Sequence, residues 1–201
     1  MMLVSAPDPM GAQAFGAILL AAGGSSRLGR PKQLEVIGAQ ALVVRQAQLL
    51  LALNPACVVV VTGAAGQEVR RALHGLPVEF VHHADWSQGM GRSIARGIEA
   101  MPERVRGALL LLCDQWRIEQ ADLEKLLKAW QLAPQKAIVS TWDGISGPPV
   151  IFPRALFQRL LRLQGDAGAR QLLRRYTGGL EKVPIANAAF DLDQPGDAGT
   201  E

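Results

Sequence analysis

Four short runs in this chain, FGAILLAA (15–22), CVVVVTG (57–63), VEFVH (78–82) and GALLLLC (107–113), are continuous rather than alternating in their apolar character. A strand that alternates can leave one face in water, whereas a continuous apolar strand must be covered on both faces. Between these runs lie segments with helical patterns: 40–53, 66–73, 91–101 and 118–132. In the last of them Ile118, Leu123, Leu126, Leu127 and Trp130 recur at i, i+3, i+4 spacing. Strand alternating with helix predicts an α/β domain: a mainly parallel, doubly wound sheet with helices on both faces, three layers deep.

The pattern continues toward the C-terminus. AIVST (137–141) and PPVIF (148–152) bracket a Gly-rich turn, helices are predicted over 154–163 and 167–176, and LEKVPI (180–185) reads as a final strand. No repeat or change in composition divides the chain, so residues 15–201 are expected to form one domain and residues 1–14 to fray. The 201 residues suffice for a substantial core without disulfides. Aromatics are only 5% of the chain, so that core must be mostly Leu, Val, Ile and Ala.

Charge and cysteine usage narrow the function. A net charge of +3 suits an anionic small ligand, but no basic stripe argues for nucleic acid. Cys57 and Cys113 each adjoin an aliphatic run and read as buried, reduced thiols. The first residues lack a signal-peptide pattern, and no apolar stretch approaches membrane-spanning length. A cytoplasmic protein is expected.

In an open α/β sheet, ligands collect outside the carboxyl ends of the strands. GGSSRLGRPK follows the first run, HHADWSQGMGRS the third, and DQW the fourth. Gly24 and Gly29 are spaced nearly as in a Walker A loop, but Arg30 and Pro31 stand where that motif requires Lys and Ser/Thr. Nor does the segment supply G-x-G-x-x-G. Its glycines and hydroxyls still expose amides to an anion, and Arg27 and Lys32 add charges suited to a triphosphate. Asp114, at the end of the leucine run, is either a Mg²⁺ ligand or the N-cap of the next helix.

Leu20-Ala21-Ala22-Gly23-Gly24-Ser25-Ser26-Arg27-Leu28-Gly29-Arg30-Pro31-Lys32-Gln33-Leu34 resembles the loop L-A-A-G-x-S-x-R-M-G-x-x-K-x-L of MobA-like NTP transferases, which include molybdenum cofactor cytidylyltransferase and its guanylyl relatives. Only Leu28 departs, from methionine. Trp86-Ser87-Gln88-Gly89-Met90-Gly91-Arg92-Ser93 is similar to the family's W-x-x-G-M-x-x-S, and Asp114-Gln115 to its D-Q-P. Gly165-Asp166-Ala167-Gly168-Ala169-Arg170 and Asp191-Leu192-Asp193-Gln194-Pro195 resemble G-D-x-G-A-R and D-I-D-T-P.

The resemblance implies a Rossmann-like sheet of the nucleotide-diphospho-sugar transferase type. It also implies Mg²⁺-dependent transfer of CMP from CTP to the phosphate of molybdopterin, releasing pyrophosphate. Arg27, Lys32 and Asp114 would be catalytic. The nucleotide would lie on Leu20, Ala21, Ala22, Gly23, Gly24, Ser25, Lys32, Gly89 and Ser93, where the alternative for Ser93 is a helix cap. Asp114 and Asp193 would hold the metal. Trp116, Pro148 and Arg170 would meet the pterin-phosphate acceptor, and a molybdoenzyme or its chaperone would receive the product.

Two departures touch the acceptor side: Gly147-Pro148-Pro149 lacks the family's G-H-P histidine, and D-Q-P has become Asp114-Gln115-Trp116. Guanylyl relatives tend to have Leu-Ala-Gly-Gly where this chain has Ala22, so the methyl favours a pyrimidine. A GTP-dependent guanylyltransferase, or a non-transferase redox accessory protein on the same fold, are the alternatives.

Overall fold

The computed structural model describes residues 14–25, 29–165 and 169–192. The segment expected to fray falls outside them up to residue 13, as do Ser26, Arg27, Leu28, Asp166 and Asp193. The chain runs β1 (Phe15–Ala21), a small hairpin of β2 (Val36–Ile37) and β3 (Gln40–Ala41), α1 (Leu42–Ala52), β4 (Val58–Thr62), α2 (Gly66–Ala72) and β5 (Glu79–His82). It continues with α3 (Met90–Glu99), β6 (Gly107–Leu112), α4 (Gln120–Leu132), β7 (Ala137–Trp142) and β8 (Ile145–Pro153). The described part closes with α5 (Phe157–Leu160), α6 (Arg170–Arg174) and β9 (Leu180–Pro184).

Seven strands form one sheet in the order β5-β4-β1-β6-β8-β7-β9. The four continuous apolar runs occupy one half as neighbouring parallel strands, with β1 central: Ala17 pairs with Val58 on one side and Leu109 on the other. Burial of β1, β4 and β6 on both faces follows from the two helical layers, whereas β5, at the sheet edge, leaves Glu79 and His82 exposed. Ala17, Leu19 and Ala21 pack with Leu42 and Leu50 of α1, Val69 of α2 and Leu126 of α4. Ile18, Leu20 and Ala22 pack with Ile94 and Ile98 of α3 and Phe157 of α5. Helix α3 approaches β1 closely because Gly97 carries no side chain: a Cβ there would lie 2.8 Å from Ile18 Cγ2.

The sheet is mostly parallel, and β8 is the exception, running antiparallel to both β6 and β7. Asp143 (φ 45°) and Gly144 (φ 78°) supply the two left-handed residues of a tight hairpin between β7 and β8. Such a turn returns the chain antiparallel beside itself, where a parallel neighbour would need a long crossover. The predicted helix at 154–163 resolves into a 3-10 turn, Arg154–Leu156, followed by the single turn of α5. Among the described residues, no helix is long and apolar enough to cross a membrane.

From β1 the chain works outward through β4 to β5, then crosses back through α3 to place β6 on the other side of β1. That reversal opens a crevice above the carboxyl ends of β1 and β6.

Candidate functional site

A cleft of about 360 Å³ occupies this crevice. Leu20, Ala22 and Gly23 line it from the end of β1, and Leu112, Cys113 and Asp114 from the end of β6. Lys32 and Gln33 close one wall; Trp86, Gly89 and Ser93 contribute from the segment leading into α3. Seven residues expected at the site therefore meet in one place: Leu20, Ala22, Gly23, Lys32, Gly89, Ser93 and Asp114.

Local structure explains how the loop after β1 brings Lys32 round. Ser25 adopts a left-handed φ of 50°, and its Oγ accepts the backbone N–H of Lys32 at 2.9 Å. Pro31, which removed a donor from any P-loop reading, sits at φ −62° as the residue before the 3-10 turn Lys32–Leu34, where proline's fixed φ fits. The Lys32 ammonium then forms an ion pair with Asp114 Oδ2, each side chain 18% exposed. The other carboxylate oxygen of Asp114, Oδ1, is buried with no hydrogen-bond partner among the described residues. Buried polar atoms are nearly always partnered, so this oxygen is suited to a cation or a donor brought by a ligand.

Two capping alternatives are settled by the helices themselves. Helix α4 is capped by a box in which Glu119 and Asp122 reciprocate, not by Asp114. Helix α3 takes Gly89 (φ 108°) as its N-cap, and Ser93 lies a turn further on, buried at the cleft.

The remaining expected residues do other things. Ala21 faces the opposite helical layer. Gly24 lies under the Trp86 ring, where a Cβ would come within 2.3 Å of Cη2. Trp116 is outside the cleft lining; Arg117 stacks on its ring at 4.7 Å and Arg45 donates to its carbonyl at 2.8 Å. Pro148 likewise does not line the cleft, and its carbonyl accepts from Gln115 Nε2 at 2.8 Å. Arg170 opens α6 on the exposed surface, away from the cleft lining.

Three glutamines that pattern reading gave no role hold the site together. Gln33, 1% exposed, donates through Nε2 to the carbonyls of Ala21 (3.2 Å) and Gly23 (2.7 Å), stapling the end of β1. Gln115 donates through Nε2 to the backbone carbonyls of Pro148 and Ala188, while its backbone carbonyl accepts from Gln46 Nε2 at 2.9 Å. The backbone carbonyl of Asp114 accepts the amide of Leu192 at 2.9 Å. A clue was available for Gln46: an uncharged amide on the apolar face of a helix needs a buried partner.

Gln33→Met keeps the volume and removes the donor, leaving two strand-end carbonyls short of one. We expect it to cost about 1–3 kcal/mol, visible as a lower melting temperature in calorimetry. An unchanged melt would show that the staple contributes nothing.

Burial, aided by the Glu79 charge, pushes the Cys57 thiol up to about 11. Burial and the adjacent Asp114 push Cys113 higher still. Neither offers a thiolate near neutral pH, which removes support from a thiol-redox role. Among the described residues no group of three His, Cys, Asp or Glu side chains could enclose a metal. Magnesium does not require one, since it keeps waters and substrate phosphates and takes one or two protein carboxylates.

The sequence profile of the MobA-like NTP transferase domain matches residues 17–180. The chain belongs to this family. The purine catabolism protein PucB of Bacillus subtilis is 33% identical over 110 residues, covering 54% of this chain and 52% of PucB, so the chain spans about half of that relative. Rv0371c of Mycobacterium tuberculosis H37Rv superposes with a TM-score of 0.81 at 24% identity, over 92% of this chain and 95% of Rv0371c. Its manganese complex gives 0.73 at 22% identity, over 94% of each chain. A nucleotidyl transferase from Methanothermobacter thermautotroptrophicus gives 0.75 at 21% identity, over 92% of this chain and 94% of that protein. At these identities the superpositions establish the sheet and its layers; the MobA-like assignment rests on the match to residues 17–180.

Proposed function

We propose that this chain is a Mg²⁺-dependent nucleotidyltransferase that moves CMP from CTP to the phosphate of molybdopterin and releases pyrophosphate. The observation that carries the reading is the Lys32–Asp114 pair at the crevice between β1 and β6, beside a Gly-rich strand end. An oxygen of the acceptor phosphate attacks the α-phosphorus, the bond from that phosphorus to the bridging oxygen breaks, and pyrophosphate carries away the electron pair. Lys32 and Arg27 hold and neutralise the triphosphate; the loop after β1 offers amides to the same anion. Asp114, whose buried Oδ1 lacks a partner among the described residues, would hold Mg²⁺, with Asp193 as a second carboxylate. The metal supplies charge neutralisation at the reacting phosphates. Manganese in the Rv0371c complex is in keeping with a divalent ion here.

Ala22 supports cytosine. It lines the cleft, and a residue without a side chain at this position would leave more room for a larger base. CTP with Mg²⁺ should therefore stabilise the protein more than GTP or ATP at matched concentration. At one hundred times Kd a ligand adds about 2.7 kcal/mol, a rise of about 5–11 °C for a chain of this size. Ala22→Gly should bring the purine shifts closer to that of CTP. An equal or larger shift with GTP in the native protein would reassign the base to guanine and leave the transfer chemistry standing. Trp116, Pro148 and Arg170, which lie outside the cleft lining, are acceptor-side candidates on the family resemblance alone. Pyrophosphate release from CTP dependent on added molybdopterin tests the acceptor directly, and release with a different phosphorylated acceptor alone would replace it.

A further inference from the structure

Strand order also orders the cleft. Trp86 follows β5, Ala22 and Gly23 follow β1, and Asp114 follows β6, in a sheet that runs β5-β4-β1-β6. The Trp86 ring reaches back from β5 to lie over Gly63 and Gly24, at the ends of β4 and β1, while Asp114 stands at the end of β6, the next strand along. The two ends differ in chemistry. At the β6 end stand an ammonium and a carboxylate, Lys32 and Asp114; the lining from Trp86 to Ser93 carries no charge. A nucleoside triphosphate has the same polarity, a flat neutral ring at one end and a polyanion at the other.

The Trp86 ring is held in place before any ligand arrives. It spans two bare backbones: a Cβ on Gly63 would lie 2.8 Å from its Cβ and Cγ, and one on Gly24 would lie 2.3 Å from Cη2. Trp86 is nonetheless only half-buried and lines the cleft beside Ala22. We propose that Trp86 is the platform on which the nucleobase stacks, and that it thereby directs the triphosphate toward Lys32 and Asp114. This rests on the nucleotide reading of the cleft. An already fixed ring loses little freedom on binding, so most of the stacking contributes to affinity. Stacking tolerates any base, so Trp86 supplies affinity while Ala22 discriminates.

The test is titration calorimetry with Mg²⁺ and three probes: CTP, GTP and inorganic triphosphate, which has no base. Trp86→Ala should weaken CTP and GTP alike, about 10- to 100-fold, and leave inorganic triphosphate within about twofold of native. Trp86→Phe should retain most of the CTP affinity. Trp86→Leu keeps bulk against Gly24 without an aromatic face, and should lose CTP like the alanine variant while melting nearer the native temperature. If triphosphate binding falls as far as CTP binding, the ring merely props the Gly24 loop and the stacking role is overturned. CTP binding at native strength in Trp86→Leu overturns it too. A native protein that binds inorganic triphosphate but neither nucleotide would overturn the nucleotide reading itself.

Discussion

Asp114→Asn is expected to reduce Mg²⁺-dependent pyrophosphate release about 100-fold or more while melting close to the native protein. The two halves of this expectation have separate causes. Stability should hold because Asp114 caps no helix; Glu119 and Asp122 close α4 without it. An asparagine oxygen can still accept from the Lys32 ammonium, so the substitution removes a charge without removing that hydrogen-bond partner. Turnover should not hold, because a neutral amide in place of the carboxylate weakens a divalent cation whose stabilisation of phosphate charge amounts to several kcal/mol. Each 1.4 kcal/mol is about tenfold in rate. The assay is pyrophosphate release from CTP with molybdopterin across a Mg²⁺ series. Native activity with an unchanged Mg²⁺ dependence would remove Asp114 from the metal site.

Lys32→Ala should lower turnover about 10²- to 10³-fold, the scale seen when one preorganised donor is removed from a site of developing negative charge. The same substitution should act in the opposite direction on metal binding without nucleotide. In the nucleotide-free protein the Lys32 ammonium stands on the carboxylate that a cation would use. Removing it should tighten divalent-ion binding about tenfold, equivalent to about 1.4 kcal/mol. Titration with Mn²⁺ followed by its paramagnetic signal reads this without any turnover. Slower transfer together with tighter metal places Lys32 between metal and triphosphate. Native turnover would return it to the surface and leave Arg27 as the principal cation.

The central half of the sheet was legible because its strands are covered on both faces, and burial of that kind writes a continuous apolar run. The Lys32–Asp114 meeting was legible for a different reason: both residues follow β-strands at a reversal of strand order, and such places collect ligands. β8 is less plain, since PPVIF has the same composition whether its strand runs up or down. Its direction lies in Asp143-Gly144, two residues with positive φ. The glutamine scaffold was hidden because an amide carries no period; Gln33 and Gln115 become informative only once the carbonyls they hold are brought near. For Trp116 and Pro148 the motif departures were visible, but their neighbours were not, and both engage the frame around the cleft.

The placement of β1 between β4 and β6 has a consequence for biosynthesis. Phe15 pairs with Gly107 and Leu20 with Leu112, so one edge of the first strand waits for a partner made some ninety residues later. At ribosomal speeds of 5–20 residues per second, β1 and β4 exist for about 3–10 s before β6 has been synthesised. During that interval a nearly all-apolar strand has an open row of backbone donors and acceptors, the template on which wrong chains add. The Lys32 loop also has no Asp114 to meet until β6 arrives. Only after β6 docks does the growing protein acquire both the Lys32–Asp114 pair and a closed sheet centre.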